Sequence, residues 1–87
     1  MIFNWFKICE VQELISFKGK DVYSREFTLN LEGIGVKTIL VVYGLKISII
    51  YDDQMLTHDV NGKNPGIYGD YAIFVGRGEV YLGFKVV

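Results

Sequence analysis

The hydrophobic pattern of this chain is organised around Val36 to Tyr51, V-K-T-I-L-V-V-Y-G-L-K-I-S-I-I-Y. Leu45, Ile47, Ile49 and Tyr51 alternate with Lys46 and Ser48, a period of two that belongs to a strand and not to a helix. Val36, Thr38, Ile39, Val41, Val42, Ile47, Ile49 and Ile50 are β-branched, which restricts χ1 and suits a pleated surface. Gly44 marks a tight reversal or a bulge between two strands, because glycine takes positive φ without strain. Ile39 to Tyr43 is apolar on both faces and predicts a central strand covered on both sides. A membrane span needs roughly 20 apolar residues, and Lys37, Gly44 and Lys46 interrupt this run well before that.

The flanking segments repeat the theme. Residues 1–9 carry Ile2, Phe3, Trp5, Phe6, Ile8 and Cys9, and read as a strand or extended chain, with a short helix as the alternative. Glu10 to Phe17 and Val22 to Leu31 read as a hairpin around the polar turn Lys18-Gly19-Lys20-Asp21. In its second arm Tyr23, Phe27, Leu29 and Leu31 face one way, while Ser24, Glu26, Thr28 and Asn30 face the other. Glu32-Gly33-Ile34-Gly35 turns the chain into the central stretch. After Asp52-Asp53-Gln54, residues Met55 to Val60 predict a short strand. Asn61-Gly62 is a type I′ turn signal and Pro65-Gly66 a type II signal, with no regular element expected between Asn61 and Gly69. A long unstructured connection of this kind is often functional. Tyr71 to Val75 and Glu79 to Val87 form a second hairpin around Gly76-Arg77-Gly78, with Arg77 at its tip. Val80, Leu82, Phe84 and Val86 share one face there, opposite Tyr81 and Lys85.

These elements predict an all-β protein, a single domain over residues 1–87. It is a small antiparallel barrel or sandwich of about six short strands. The alternative is an α+β arrangement with a short N-terminal helix on an antiparallel sheet.

Composition sharpens this. With 51% hydrophobic and 15% aromatic residues the chain is not disordered. A net charge of −1 gives no global attraction to phosphate or anionic lipid. The charges are uneven: Lys18, Lys20 and Arg25 gather near one turn, and Asp52, Asp53, Asp59 and Asp70 in another segment. One cysteine excludes an intrachain disulfide and favours a reducing, cytoplasmic setting. The first ten residues lack a basic leader, so no signal peptide is expected.

Candidate chemistry is sparse. Cys9 and His58 are the only members of their types, and Cys9 sits in an apolar run while His58 adjoins Asp59, which is a poor setting for a nucleophile and its base. Asp59 to Asp70 has the length of a calcium loop, but its glycine falls at the fourth position and Lys63 occupies a ligand position. Gly33-Ile34-Gly35 leads into a strand and lacks the third glycine of a dinucleotide fingerprint. Gly66-Ile67-Tyr68-Gly69 spells a GXXG clamp without flanking helices. No catalytic residue, metal or cofactor is therefore expected.

Arg77-Gly78-Glu79-Val80-Tyr81-Leu82-Gly83-Phe84 resembles the aromatic octapeptide of RNA-recognition sheets at Arg77, Gly78, Tyr81 and Phe84. It departs at Glu79, where a stacking aromatic belongs, and that family's helices are missing from the pattern. Tyr23, Tyr68 and Tyr81 with Lys18, Lys20 and Arg25 would make an oligonucleotide-binding face on a small barrel. The leading expectation is instead a non-enzymatic protein that docks on another macromolecule, foremost a protein, in the manner of small viral inhibitors of host enzymes. Its surface is expected at Asp52, Asp53, His58, Asp59, Tyr68, Asp70 and Arg77. A self-assembling structural protein, joined through edge strands or the apolar N-terminus, is a further alternative.

Overall fold

A computed structural model describes residues 2–15, 22–31 and 33–86. The elements are β1 (Phe3–Glu10), α1 (Val11–Ile15), β2 (Val22–Leu31), β3 (Ile34–Tyr43), β4 (Lys46–Tyr51), β5 (Gln54–Asp59), β6 (Gly66–Tyr68), β7 (Tyr71–Gly76) and β8 (Glu79–Lys85). They form two four-stranded antiparallel sheets, β1-β8-β7-β6 and β2-β3-β4-β5, packed as a sandwich.

The alternation read from the sequence decides which side chains face the interior. Ile47 and Ile49 on β4, Leu40 on β3 and Leu56 on β5 meet Ile73, Val75, Val80 and Leu82 from the other sheet, and all are buried. In β1 the register slips between Lys7 and Cys9, so that Lys7 pairs with Tyr81 and Cys9 with Val80. This bulge turns Cys9 into the core, where it is 4% exposed. A second aromatic group closes one end: the rings of Tyr51, Tyr71 and Phe84 meet edge to face at 5.0–5.8 Å.

Four expectations are corrected. Glu10 to Phe17 is not the first arm of a hairpin. Val11–Ile15 is helical, β2 pairs with β3, and the Lys18–Asp21 turn lies outside the described residues. The helix start has a physical cause: the Glu13 carboxylate accepts a hydrogen bond from the Glu10 amide at 2.8 Å, half of a capping box.

The central strand is covered on one side only. Leu40 is buried, but Ile39 is 40% and Tyr43 64% exposed on the opposite face. Among the described residues the two layers use every strand, and no third layer covers β3. Ile39, Ile50 and Met55 form an apolar row across β3, β4 and β5, with Met55 57% exposed.

A strand, β6, does occur between Asn61 and Gly69. It is only three residues long and follows Pro65, so periodicity could not reveal it.

The two glycine-based turn types are also absent: neither Gly62 nor Gly66 takes positive φ. Gly62 is required for space instead, and Gly66 sits where a side chain would be tightly packed. A Cβ at Gly62 would lie 2.7 Å from His58 Cε1, and one at Gly66 would lie 3.2 Å from the Thr57 carbonyl oxygen. Asp52-Asp53 (φ 51° and 59°) and Arg77-Gly78 (φ 55° and 74°) have the sign pattern of type I′ hairpins, and Gly44 (φ 59°) and Gly69 (φ 65°) begin the β3–β4 and β6–β7 reversals, the first as the sequence predicts.

Candidate functional site

The outer face of the β1-β8-β7 sheet carries a run of aromatic rings. Register sets Trp5 opposite Gly83, Lys7 opposite Tyr81, and Tyr81 opposite Phe74, so Trp5, Tyr81 and Phe74 share one face. Ring centroids step from Phe3 to Trp5 in 5.7 Å, from Trp5 to Phe74 in 6.1 Å, and from Phe74 to Tyr81 in 6.4 Å. Two glycines hold the rings down. A Cβ at Gly83 would fall 2.7 Å from Trp5 Cζ3, and one at Gly76 would fall 2.6 Å from Phe74 Cζ. The rings therefore lie where side chains would otherwise stand, and Trp5 remains 38% exposed.

A groove of about 510 Å³ opens over this platform, between Trp5, Phe74 and Tyr81 and a rim of Lys63, Pro65 and Arg77. His58 places that rim. Its ring is 5% exposed, packs edge to face on Phe74 at 6.1 Å, and has both nitrogens against backbone carbonyls. Nδ1 faces the Asp59 carbonyl, and Nε2 lies 2.7 Å from the carbonyl oxygen of Asn64, next to Lys63. Both oxygens only accept, so whichever ring nitrogen carries the proton donates to one of them. The Gly62 amide donates to the Asp59 carbonyl at 2.9 Å and closes the same loop.

The charges around the groove are asymmetric. Lys7 Nζ lies 2.9 Å from Glu79 and 3.3 Å from Glu10, and the Tyr81 hydroxyl donates to Glu79. The Tyr81 hydroxyl, then Lys7, holds the Glu79 carboxyl below its ordinary range, with a weaker pull from Arg77. The bond to Glu79 pushes the Tyr81 phenol up, and Lys7 is raised chiefly by the same carboxylate. Among the described residues, Lys63 and Arg77 have no ion pair.

The residues expected to form one docking surface separate into two ends and an interior. Asp52 and Asp53 precede β5 and Asp70 precedes β7; the Tyr71 hydroxyl donates to Asp52 at 2.7 Å, which draws these carboxylates to one end. That bond is the main cause that pushes the Tyr71 phenol up to about 12. Asp59 ends β5 and Arg77 follows β7, at the far ends of the same two strands, and both are exposed there. Tyr68 is 37% exposed, but its hydroxyl is occupied: it accepts from the Thr57 amide at 3.2 Å and donates to the Thr57 carbonyl at 2.8 Å. It thereby links β6 to β5. His58 is buried, with both ring nitrogens turned to backbone carbonyls.

For the alternative oligonucleotide face, Lys18, Lys20 and the Tyr23 side chain lie outside the described residues. Arg25 lies on the other sheet, its guanidinium 4.8 Å over the Phe27 ring. Phe74 and Lys63, which line the groove, were not among the sequence candidates. Trp5 was read as part of an apolar N-terminus, and only the pairing of the first strand with the last brings it to Tyr81. Among the described residues, no group of three or more His, Cys, Asp or Glu converges as a metal cluster would. No protein family, curated protein or solved structure matches the chain.

Proposed function

We propose that the protein is a non-enzymatic binding module that docks on another macromolecule, and that its working surface is the groove between Trp5, Phe74, Tyr81, Lys63 and Arg77. The supporting observation is a pair of cations, without ion pairs among the described residues, on the rim of an aromatic platform on which Trp5 is exposed and Phe74 and Tyr81 are half-buried, while Glu79 beside it is engaged by Lys7 and Tyr81. A groove of about 510 Å³ is of ligand-binding size, and aromatic residues with Arg are the side chains that concentrate binding energy. The test is capture of partners from source-cell lysate by the tagged protein, by the Lys63→Ala/Arg77→Gly double variant, and by an Asp52→Asn/Asp53→Asn/Asp70→Asn variant. The groove variant loses capture and the acidic-end variant keeps it; retention by the groove variant overturns the reading.

A second reading keeps a protein partner at the acidic end. It is favoured by the Tyr71–Asp52 hydrogen bond, which ties the Asp52-Asp53 turn to the start of β7, the strand that Asp70 precedes. Three carboxylates presented on rigid turns suit a basic groove on a partner enzyme, as an inhibitor would. Loss of capture in the acidic-end variant alone supports this reading over the first.

A further inference from the structure

We infer that the groove binds single-stranded nucleic acid, with bases laid on the Trp5, Phe74 and Tyr81 rings and phosphate held between Lys63 and Arg77; the inference rests on the groove being the working surface. The argument starts from the rings. Every nucleobase presents a π-face, so aromatic side chains exposed on a sheet form a sequence-tolerant stacking platform. Here Gly83 and Gly76 seat the Trp5 and Phe74 rings on the sheet before any ligand arrives. The two cations supply the other half. Lys63 and Arg77 border the same groove as the rings and are free of ion pairs among the described residues.

Two rival occupants fit less well. An acidic peptide would satisfy the cations but leave the ring faces without planar partners. A free mononucleotide would use one ring and one cation. The rings follow from Tyr81 through Phe74 and Trp5 to Phe3 in steps of 5.7–6.4 Å, with neighbouring planes turned by 28°, 60° and 46°, so they offer several separate stacking faces, more than one base covers. The net charge of −1 is compatible with this, because the attraction is local and confined to the rim.

The chain has a single tryptophan, Trp5, so its fluorescence reports on the groove alone. The probes are an eight-nucleotide oligo-dT and oligo-U, the mononucleotides TMP and UMP, and a poly-glutamate peptide, each titrated at 50 and 200 mM salt. An oligonucleotide quenches Trp5 emission. Two phosphate contacts on a single strand give a log–log salt slope of about −1.4, so affinity falls about sevenfold between the two salt concentrations. Lys63→Ala/Arg77→Gly weakens binding at least tenfold and flattens the salt dependence; both positions are exposed, and glycine fits the φ of 55° at Arg77. Absence of quenching by either oligonucleotide at 50 mM salt overturns the inference. So does a mononucleotide that binds as tightly as the octamer, or poly-glutamate that quenches where oligonucleotides do not. If the groove variant also loses lysate capture, these failures sink the ligand class and leave the groove as the working surface. Oligonucleotide binding unchanged in the groove variant overturns the ligand placement, and unchanged capture sinks the groove itself.

Discussion

His58 is the residue on which the groove's rim depends, and its removal has a size that can be worked out. Three contributions are lost in His58→Ala. The hydrogen bond from the ring to a loop carbonyl, 2.7 Å long at Asn64, is worth about 1 kcal/mol. The edge-to-face contact with Phe74 at 6.1 Å adds about 0.5 kcal/mol or more. Emptying the space of a ring only 5% exposed costs about 2 kcal/mol, below the usual figure for Phe→Ala because imidazole is smaller and more polar. The sum is about 3.5 kcal/mol. At about 4–8 °C per kcal/mol for a domain of this size, Tm falls by roughly 14–28 °C. His58→Phe separates anchoring from filling. It keeps a ring but no donor, so the loss is about 1–2 kcal/mol, including strain against Gly62. Limited trypsin digestion supplies the local readout: cleavage after Lys63 accelerates in both variants, because both release the Asn64 carbonyl. A His58→Ala protein that melts within about 5 °C of the parent, with unchanged cleavage after Lys63, would refute the view that this imidazole holds the loop.

The other predictions are briefer. Gly83→Ala places a Cβ 2.7 Å from Trp5 Cζ3, so the ring must lift from the sheet; Trp5 emission shifts, stability drops by about 1–3 kcal/mol, and any groove ligand binds more weakly. An unchanged emission spectrum would show that the ring does not rest on that glycine. Burial pushes the Cys9 thiol up to about 11, with Glu13 adding to the rise. The native protein therefore fails to react with an aromatic disulfide reagent at mildly alkaline pH and reacts fully once unfolded. Because the folded-state value is the higher one, the thiol's contribution to stability is complete below the unfolded value and is lost as pH rises toward 11. Tyr71 titrates late, near 12, chiefly because its hydroxyl donates to Asp52. The bond's contribution is complete below the ordinary phenol value of 10 and disappears as pH climbs to about 12. Asp52→Asn moves one of the six tyrosines back toward the ordinary phenol range in an ultraviolet titration, and an unmoved curve would remove the bond from the argument.

What could be read from the sequence was whatever a short window contains. Alternation placed Ile47, Ile49, Val80 and Leu82 in the interior, and they are buried. The hairpin tip at Arg77 was equally local. The helix Val11–Ile15 was also announced locally, by Glu13 three residues after Glu10, but five residues give too little periodicity to outweigh the β-prone flanks. Glycine misled because it answers two different needs. Gly62 and Gly66 were read as positive-φ turn formers; Gly62 does close a turn with Asp59, but its missing side chain makes room for the His58 ring, and Gly66 allows the close approach of β5 to β6. Steric need of that kind depends on what lies opposite, and no window around residue 62 contains residue 58's final position. The groove is the extreme case. Trp5 reaches Tyr81 only because the first strand pairs with the last, and Lys63 reaches both only through the loop that His58 pins. The acidic run was conspicuous precisely where it was contiguous in sequence, yet β5 and β7 carry its members to opposite ends. In a sandwich whose sheets mix the two ends of the chain, proximity in sequence marks turns, while a binding surface is assembled from strand register; a search for such surfaces should therefore start from cross-strand partners such as Trp5–Gly83 and Tyr81–Phe74.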